Sequence, residues 1–456
     1  MPVTTTHPEY DAHLAEWQLM DDALAGEAAI KKRSTKYLPK PSGMVEAEKQ
    51  DPVGNTYLYD NYAARAQYEH WVKDSQRSMM GLVSRLTPEV KLPSGMEDLV
   101  ENVTDDGFGL TDLFLRVVRQ SMGHGRVPLL VNVDDDGRPY VSIYQATSAT
   151  NWAEGIQGGR RDLILSVFRE TRKKDLNDIY SHEMVTVYRV FEINDGVCIT
   201  RVLDEKDQVI EEERSLLTAH SGRGALKYIP VIYCGPTNNS VDVDEIPLLS
   251  MGRAALKSYQ LSADYFTALH QTSHPQPWVS GMDEDTDLSV TGPSAAWDLG
   301  KNGQCGYLEF QGAGIEAVRT AMTDQKNAAL EAGAKVMDMS GVESGEARQS
   351  RQNDQHATLH SIVKTAAAAV EQALRFAAEW TGRDPKGVTF AVKPEFNIPD
   401  IDPQVLGQLQ QAVLAGGISW ESYWQYLTTG KLPEHGYDEE APKIENPGGL
   451  IHDEEE

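Results

Sequence analysis

IPLLSMGRAALKSYQLSADYFTALH, residues 246–270, and IEAVRTAMTDQKNAALEAGAKVM, residues 315–337, are the two stretches from which the architecture can be read. In the first, Leu248, Leu249, Gly252, Ala255, Leu256, Tyr259, Ala263 and Phe266 recur at steps of three and four, which predicts one helix from about Ile246 to His270. At about 1.5 Å per residue it spans roughly 35 Å. His274-Pro275 and Pro277 end it, because proline steers the preceding residue away from the helical region. In the second, Ile315, Val318, Met322, Ala329 and Val336 form a narrow apolar stripe on an otherwise polar helix. So thin a stripe needs cover from neighbours, and copies of the same chain can supply it.

Between these helices, the insert Gln276–Phe310 holds two short strand candidates, Trp278–Gly281 and Gly306–Phe310, around an acidic turn. After the second helix, Met339–Ser350 reads as a loop punctuated by Gly341, Ser344 and Gly345. Leu359, Ile362, Val363, Ala366, Val370, Ala373, Leu374 and Trp380 then mark a helix of about thirty residues, on the order of 45 Å. Gly382 and Pro385 stop it. A strand at Val388–Lys393 precedes a helix pair between Pro399 and Glu440. Leu406, Leu409 and Val413 line its first member, Gly416-Gly417 breaks it, and Ser419 caps the second, whose apolar side is Tyr423, Tyr426 and Leu427. From Tyr437 onward the chain has little to bury and is expected to be poorly ordered.

The first 245 residues alternate helical and strand patterns, the signature of an α+β unit with a mostly antiparallel sheet. Tyr57–Val72 reads as a helix, and Leu110, Leu113, Phe114, Val117, Val118 and Met122 give a cleaner one. Val127–Val133 and Pro139–Gln145 flank an Asp136-Gly137 turn as a hairpin. Strands follow at Leu163–Arg169, Met184–Ile193, Val197–Leu203 and Ile229–Cys234, with Asp195-Gly196 as a second hairpin turn, and Pro236–Val243 reads as a hinge.

A chain of 456 residues with 40% hydrophobic content allows two to four structural units with a real core. No signal peptide is evident, and the longest apolar runs, such as Val127–Val133, are too short to span a bilayer, so a soluble chain made in a cytoplasm is expected. Cys198, Cys234 and Cys305 are odd in number and far apart, which leaves no disulfide framework and fits a reducing compartment. The formal charge of −27 argues against a general nucleic-acid binder, which neutralises phosphates with lysine and arginine. An acidic protein can nevertheless surround DNA without gripping it.

The chain carries almost no motif with recognisable chemistry. No phosphate loop or Gly-x-Ser-x-Gly elbow is present. Gly123-His124-Gly125-Arg126 lies between helix and strand, the reverse of the order that aims a helix N-terminus at an anion, and reads as a helix cap and turn. His356 and His360 have the spacing of two zinc ligands, but Ala357 stands where a metalloprotease needs glutamate. Asp134-Asp135-Asp136-Gly137 lacks the alternating ligands of a calcium loop. Asp283, Glu284, Asp285 and Asp287 also miss that pattern, since Leu288 occupies the glycine position and Ser294 the closing glutamate position; they read as a solvated turn or a partner-facing acidic patch. No cofactor, metal or catalytic residue is expected.

Several segments, taken in order, resemble a family. They are Leu92-Pro-Ser-Gly-Met-Glu-Asp-Leu99, Gly125-Arg-Val-Pro-Leu-Leu-Val131 with Gly137-Arg-Pro-Tyr-Val141, Asn151-Trp152, Ile246-Pro-Leu-Leu249 through Ser262-Ala-Asp-Tyr265 to Gly281, and Gly417-Ile-Ser-Trp-Glu421 followed by Gly430-Lys-Leu-Pro433. Together they resemble the portal proteins of tailed bacteriophages, the head–tail connectors, close to a subgroup catalogued as a phage domain of unknown function. The resemblance implies a wing over residues 1–245, stem helices at 246–271 and 313–337, a clip at 272–312 and a tunnel loop at 338–350. It further implies a long wing helix and strand at 351–398 and a short crown at 399–440, with 441–456 an acidic tail.

The same resemblance implies a ring, usually a dodecamer, at one capsid vertex of the virion, assembled in the host cytoplasm without membrane contact. Double-stranded DNA would pass through its axis during packaging and ejection. Its partners would be the terminase large subunit, a head–tail adaptor and the major capsid or scaffold protein. By position Arg319, Lys326, Lys335, Arg348 and Arg351 are then the DNA-channel candidates, with an ordinary surface charge or subunit salt bridge as the plainer role for each. Asp283, Glu284, Asp285 and Asp287 are the candidates for facing terminase or adaptor. The competing readings are a metal-dependent phage DNA-processing enzyme using Asp283, Asp285 and Asp287, and another shell or scaffold component.

Overall fold

The structure, a computed structural model, describes residues 2–52, 56–134, 136–157, 159–175, 178, 180–215, 224–273, 276–281, 304–308, 312–334, 345–394, 396, 403–414, 417–429 and 437–444. The chain divides into two compact units, Met1–Val392 and Lys393–Glu456. The first is mixed helix and sheet, as its sequence pattern requires.

It opens with α1 (Pro8–Ala25), α2 (Glu27–Lys32), α3 (Ser42–Gln50), α4 (Thr56–Arg65) and α5 (Trp71–Val83). Trp17, Met20 and Ala23 of α1 are fully buried. The single helix expected over 57–72 is in fact two, α4 and α5, with a break between. At that break the Gln67 amide donates to Ser262 Oγ at 2.9 Å, and Ser262 Oγ donates back to the Gln67 carbonyl at 3.0 Å. Tertiary hydrogen bonds satisfy the backbone groups there in place of helical ones.

After β1 (Glu89–Lys91) comes α6 (Leu110–His124), whose six expected core residues are all buried. Gly125 caps it with φ 67°, its amide donating to the Ser121 carbonyl at 2.9 Å. Only glycine suits the position, because a Cβ would lie 2.8 Å from the Asp244 carbonyl oxygen. The anticipated hairpin follows as β2 (Val127–Val133) and β3 (Pro139–Ile143), paired from Leu129↔Ile143 to Val133↔Pro139.

A second sheet has the order β4-β5-β6-β7-β8, antiparallel throughout, formed by β4 (Ala149–Gln157), β5 (Arg160–Lys173), β6 (Met184–Asn194), β7 (Val197–Leu203) and β8 (Val209–Ser215). Asp195 and Gly196 make the β6–β7 turn with φ of 48° and 73°, both in the left-handed region that a tight hairpin demands. The outer strands β4 and β8 went unread in the sequence, since neither alternates apolar and polar residues. β9 (Val231–Cys234) returns to β2, giving the three-stranded order β3-β2-β9.

α7 (Leu249–Thr272), β10 (Gln276–Ser280), β11 (Gln304–Leu308) and α8 (Ala313–Ala329) follow, then α9 (Gly345–Trp380) and β12 (Thr389–Ala391). All eight residues read as the apolar side of α9 are buried. α9 ends at Gly382, φ 77°, where the Arg383 amide reaches the Ala378 carbonyl at 2.7 Å. Its strand β12 pairs with β1, and Phe390 stands 5.9 Å from Phe114 of α6 between ring centres.

The second unit contains α10 (Pro403–Leu414), α11 (Trp420–Thr429) and α12 (Tyr437–Ile444). Ser419 caps α11 as expected, its Oγ accepting from the Ser422 amide at 3.1 Å. Residues 437–444, expected to be poorly ordered, are instead helical. The buried Glu440 carboxylate accepts from the Ser419 amide at 2.7 Å and from Ser422 Oγ at 2.8 Å. A negative group suits a helix N-terminus, and that contact holds α12 to α11. Residues 445–456 lie outside the described residues.

Candidate functional site

The helix, hairpin, helix run singled out in the sequence is built by α7, β10, β11 and α8. α7 starts in the core, burying Leu249, Met251, Ala255, Tyr259 and Ala263. Polar contacts fix it further: the Tyr62 hydroxyl donates to Asp264 at 2.7 Å, and Gln260 Nε2 donates to the Tyr37 carbonyl at 2.9 Å. Burial, and then the Asp264 carboxylate, push the Tyr62 phenol above its ordinary range, so it stays a donor. Beyond Ala263 the side chains are half-buried or exposed. The last two turns of α7 therefore leave the core and carry the insert outward.

The insert's strands pair antiparallel from Gln276↔Leu308 to Ser280↔Gln304, each beginning two residues earlier than the sequence reading placed it. Trp278 lies across Gly306, where a Cβ would stand 3.1 Å from the indole nitrogen. Cys305 is exposed, whereas Cys198 and Cys234 are buried, and burial pushes both of those thiols up to about 12. Asp283, Glu284, Asp285 and Asp287 lie outside the described residues.

α8 packs along α7 with Ile315, Val318 and Met322 half-buried, and Ala329 is its one buried residue. The expected second helix, 315–337, changes character after Ala329. Leu330–Ala334 is a π turn in which Gly333 takes φ 113°, a conformation closed to residues with a Cβ. That turn packs beside α5, with Met79 Cε 3.9 Å from the position a Gly333 Cβ would occupy.

Among the channel candidates, Arg319 and Lys326 are both exposed on α8. They are seven residues apart, two turns along one face, and border the stripe that meets α7, Arg319 between Ile315 and Met322 and Lys326 between Met322 and Ala329. Arg319 also approaches Glu316 at 3.7 Å, a weak exposed pair. Lys335 lies outside the described residues. Arg348 and Arg351 fall in the first turns of α9, which begins at Gly345, six residues before the long helix was expected. Part of the anticipated loop is thus helix, and the rest, 338–344, lies outside the described residues.

Two clusters elsewhere escaped the sequence reading. Arg126, 1% exposed, lies over the Trp152 ring at 3.7 Å and the Tyr233 ring at 4.1 Å, and its Nη2 donates to the Val241 carbonyl at 2.7 Å. Its Nε and Nη1 meet no oxygen partner, so the ring faces take that place. Burial lowers the guanidinium to about 10, against the pull of Tyr233, Glu9 and Asp242, and it stays charged at neutral pH. On the five-stranded sheet Glu170 accepts from Arg189 at 2.7 Å, Arg172 at 3.0 Å and the Tyr144 hydroxyl at 2.7 Å, and Arg172 reaches Glu211 at 2.5 Å. The sequence shows only charges scattered in strands; the register of β5 on β6 assembles them.

Among the described residues no cluster of three or more His, Cys, Asp or Glu is placed to hold a metal ion. No described helix is long and apolar enough to cross a membrane.

The sequence matches no curated protein. By structure it is similar to a chain in the neck of an empty GTA particle computed with C6 symmetry, at 13% identity and a TM-score of 0.40, covering 79% of this chain and 90% of that one. It is also similar to an HK97 family phage portal protein from Corynebacterium diphtheriae, at 10% identity and a TM-score of 0.29, covering 71% of this chain and 92% of that one. Residues 247–381 match the family model described as a domain of unknown function, DUF4055, a span that runs from the start of α7 to the end of α9.

Proposed function

We propose that this chain is one subunit of a ring-shaped phage portal, the channel through which double-stranded DNA enters and leaves the capsid. Residues 246–271 and 313–337 form its stem, 272–312 the clip, 338–350 the tunnel region, and 399–440 the crown. The single observation that carries the reading is α8: a helix of 17 residues with one buried side chain, lying along α7 and open on its other faces. Such a helix gains its missing cover when copies of the chain stand side by side around an axis. The net charge of −27 suits a wall along which DNA must slide. The sequence resemblance over most of the chain supplies the partners: terminase and a head–tail adaptor at the clip, through Asp283, Glu284, Asp285 and Asp287, and twelve subunits in the ring.

Electron microscopy of the purified protein is expected to show closed rings with an axial hole. A protein that stays monomeric at high concentration under every assembly condition refutes the reading. Arg319 and Lys326 face the lumen in this arrangement, with Lys335, Arg348 and Arg351 near its narrow part. Arg319→Glu combined with Lys326→Glu is then expected to lower the DNA content of particles several-fold while rings still form, because two contacts to the polyanion turn repulsive. Unchanged packaging by that variant removes both residues from the channel.

A further inference from the structure

We infer that opposite corners of the five-stranded sheet are the two halves of a contact between neighbouring copies of this chain. The β4–β5 hairpin ends in a cross-strand pair, Ile156↔Arg161, whose side chains share one face. Ile156 is 80% exposed, and Arg161 is exposed with no carboxylate partner among the described residues. At the far edge, β8 presents Ile210, 51% exposed, and two residues on the exposed Glu212, again without a cationic partner among the described residues. Glu211 between them is already taken by Arg172. One corner thus offers an isoleucine and a free cation, the other an isoleucine and a free anion.

These surfaces cannot meet within one chain. With the order β4-β5-β6-β7-β8, the outer strands stand roughly 19 Å apart across the sheet. Arg161 also lies seven residues along β5 from Phe168, the row that runs through Arg189 and Val202 to Glu211 between Ile210 and Glu212, an offset of roughly 23 Å. Complementary patches at opposite corners of one rigid sheet define a head-to-tail contact, which closes into a ring when the rotation is right. The occupant of each corner is therefore the other corner of a second copy. Strand addition is not the mode, because the β7–β8 register shifts beside Ile210 and such a bulge spoils an edge for pairing. Side chains make the contact: Ile156 on Ile210, Arg161 on Glu212.

The inference rests on the ring reading and specifies which wing surfaces touch. In a Cys305→Ser background, Ile156→Cys plus Ile210→Cys is expected to give, on mild oxidation, a series of covalent multimers on a denaturing gel, and either cysteine alone none. Arg161→Glu is expected to weaken self-association about tenfold, with Glu212→Arg added to it restoring most of the loss. Rings that form without covalent multimers overturn the contact and leave the portal reading standing. Multimers from either single cysteine overturn it too, since like would then meet like. Monomers throughout overturn both readings.

Discussion

Glu170→Ala is expected to destabilise the first unit by about 3 kcal/mol, the cost of removing one partner from a mostly buried ion-pair network. Glu170 and Arg189 are each 14% exposed, so the stranded guanidinium has little water to turn to. Glu170→Gln keeps the volume and part of the hydrogen bonding, and should lose less. The pH dependence separates the charge from the packing. Burial alone would raise the Glu170 carboxyl, but the Arg189 hydrogen bond and charge, the Tyr144 hydroxyl and Arg172 outweigh it and hold the group below its ordinary value of 4.5. A carboxyl lowered by folding adds stability above its unfolded pKa and loses it as pH falls through the folded one. Wild type and Glu170→Gln should therefore differ most above about pH 5 and converge in more acidic solution. Urea unfolding at several pH values reads this directly; a constant difference across the series refutes the ionic account. Tyr144, held protonated by burial and then by Glu170, stays a donor throughout that range.

Arg126→Ala is expected to cost about 3 kcal/mol, because it opens a cavity between two aromatic rings and discards two cation–π contacts. Arg126→Met discriminates between those two causes. Methionine refills most of the volume and removes a buried charge whose desolvation is itself unfavourable, so its loss should stay within about 1.5 kcal/mol. It leaves the Val241 carbonyl without the 2.7 Å hydrogen bond, which accounts for part of that loss. If methionine proves as damaging as alanine, the attraction between rings and guanidinium outweighs the filling of space and the packing account is wrong. Trp152 also stacks on His7 at 4.0 Å, and His7 Nδ1 accepts from the Glu9 amide at the start of α1. Arg126 thus ties the N-terminal helix, both sheets and the segment leading to α7 at one point. Its loss should lower the unfolding midpoint of the whole unit and not of one element.

Where side-chain periodicity was strong, the sequence reading and the structure agree. α6 and α9 bury the stripes their spacing predicts, and β5, β6 and β7 carry apolar, β-branched runs dense enough to be recognised. β4 and β8 were invisible because register shifts interrupt the period of two in both, and Ile156, Val209 and Ile210 are exposed. The break between α4 and α5 was invisible for a different reason: the Ser262 that holds it lies 195 positions from Gln67. In the candidate site, the helix, insert, helix order and the shared face of Arg319 and Lys326 follow from the 3.6-residue period alone. The π turn at Leu330–Ala334 does not, since a glycine within a helical pattern only hints at a break and the packing against α5 decides its form.

Local sequence pattern was enough for the class of fold, the order of its parts and the absence of a recognisable catalytic motif, because periodicity, turn residues and motif spacing are properties of short stretches. Which charges meet was settled only by the folded chain. Glu170 finds Arg189 through strand register, Arg126 finds Trp152 and Tyr233 through the packing of two sheets, and Glu440 finds the N-terminus of α11 across a loop. Each pairing depends on distances between residues far apart in the chain, and no local pattern carries that information.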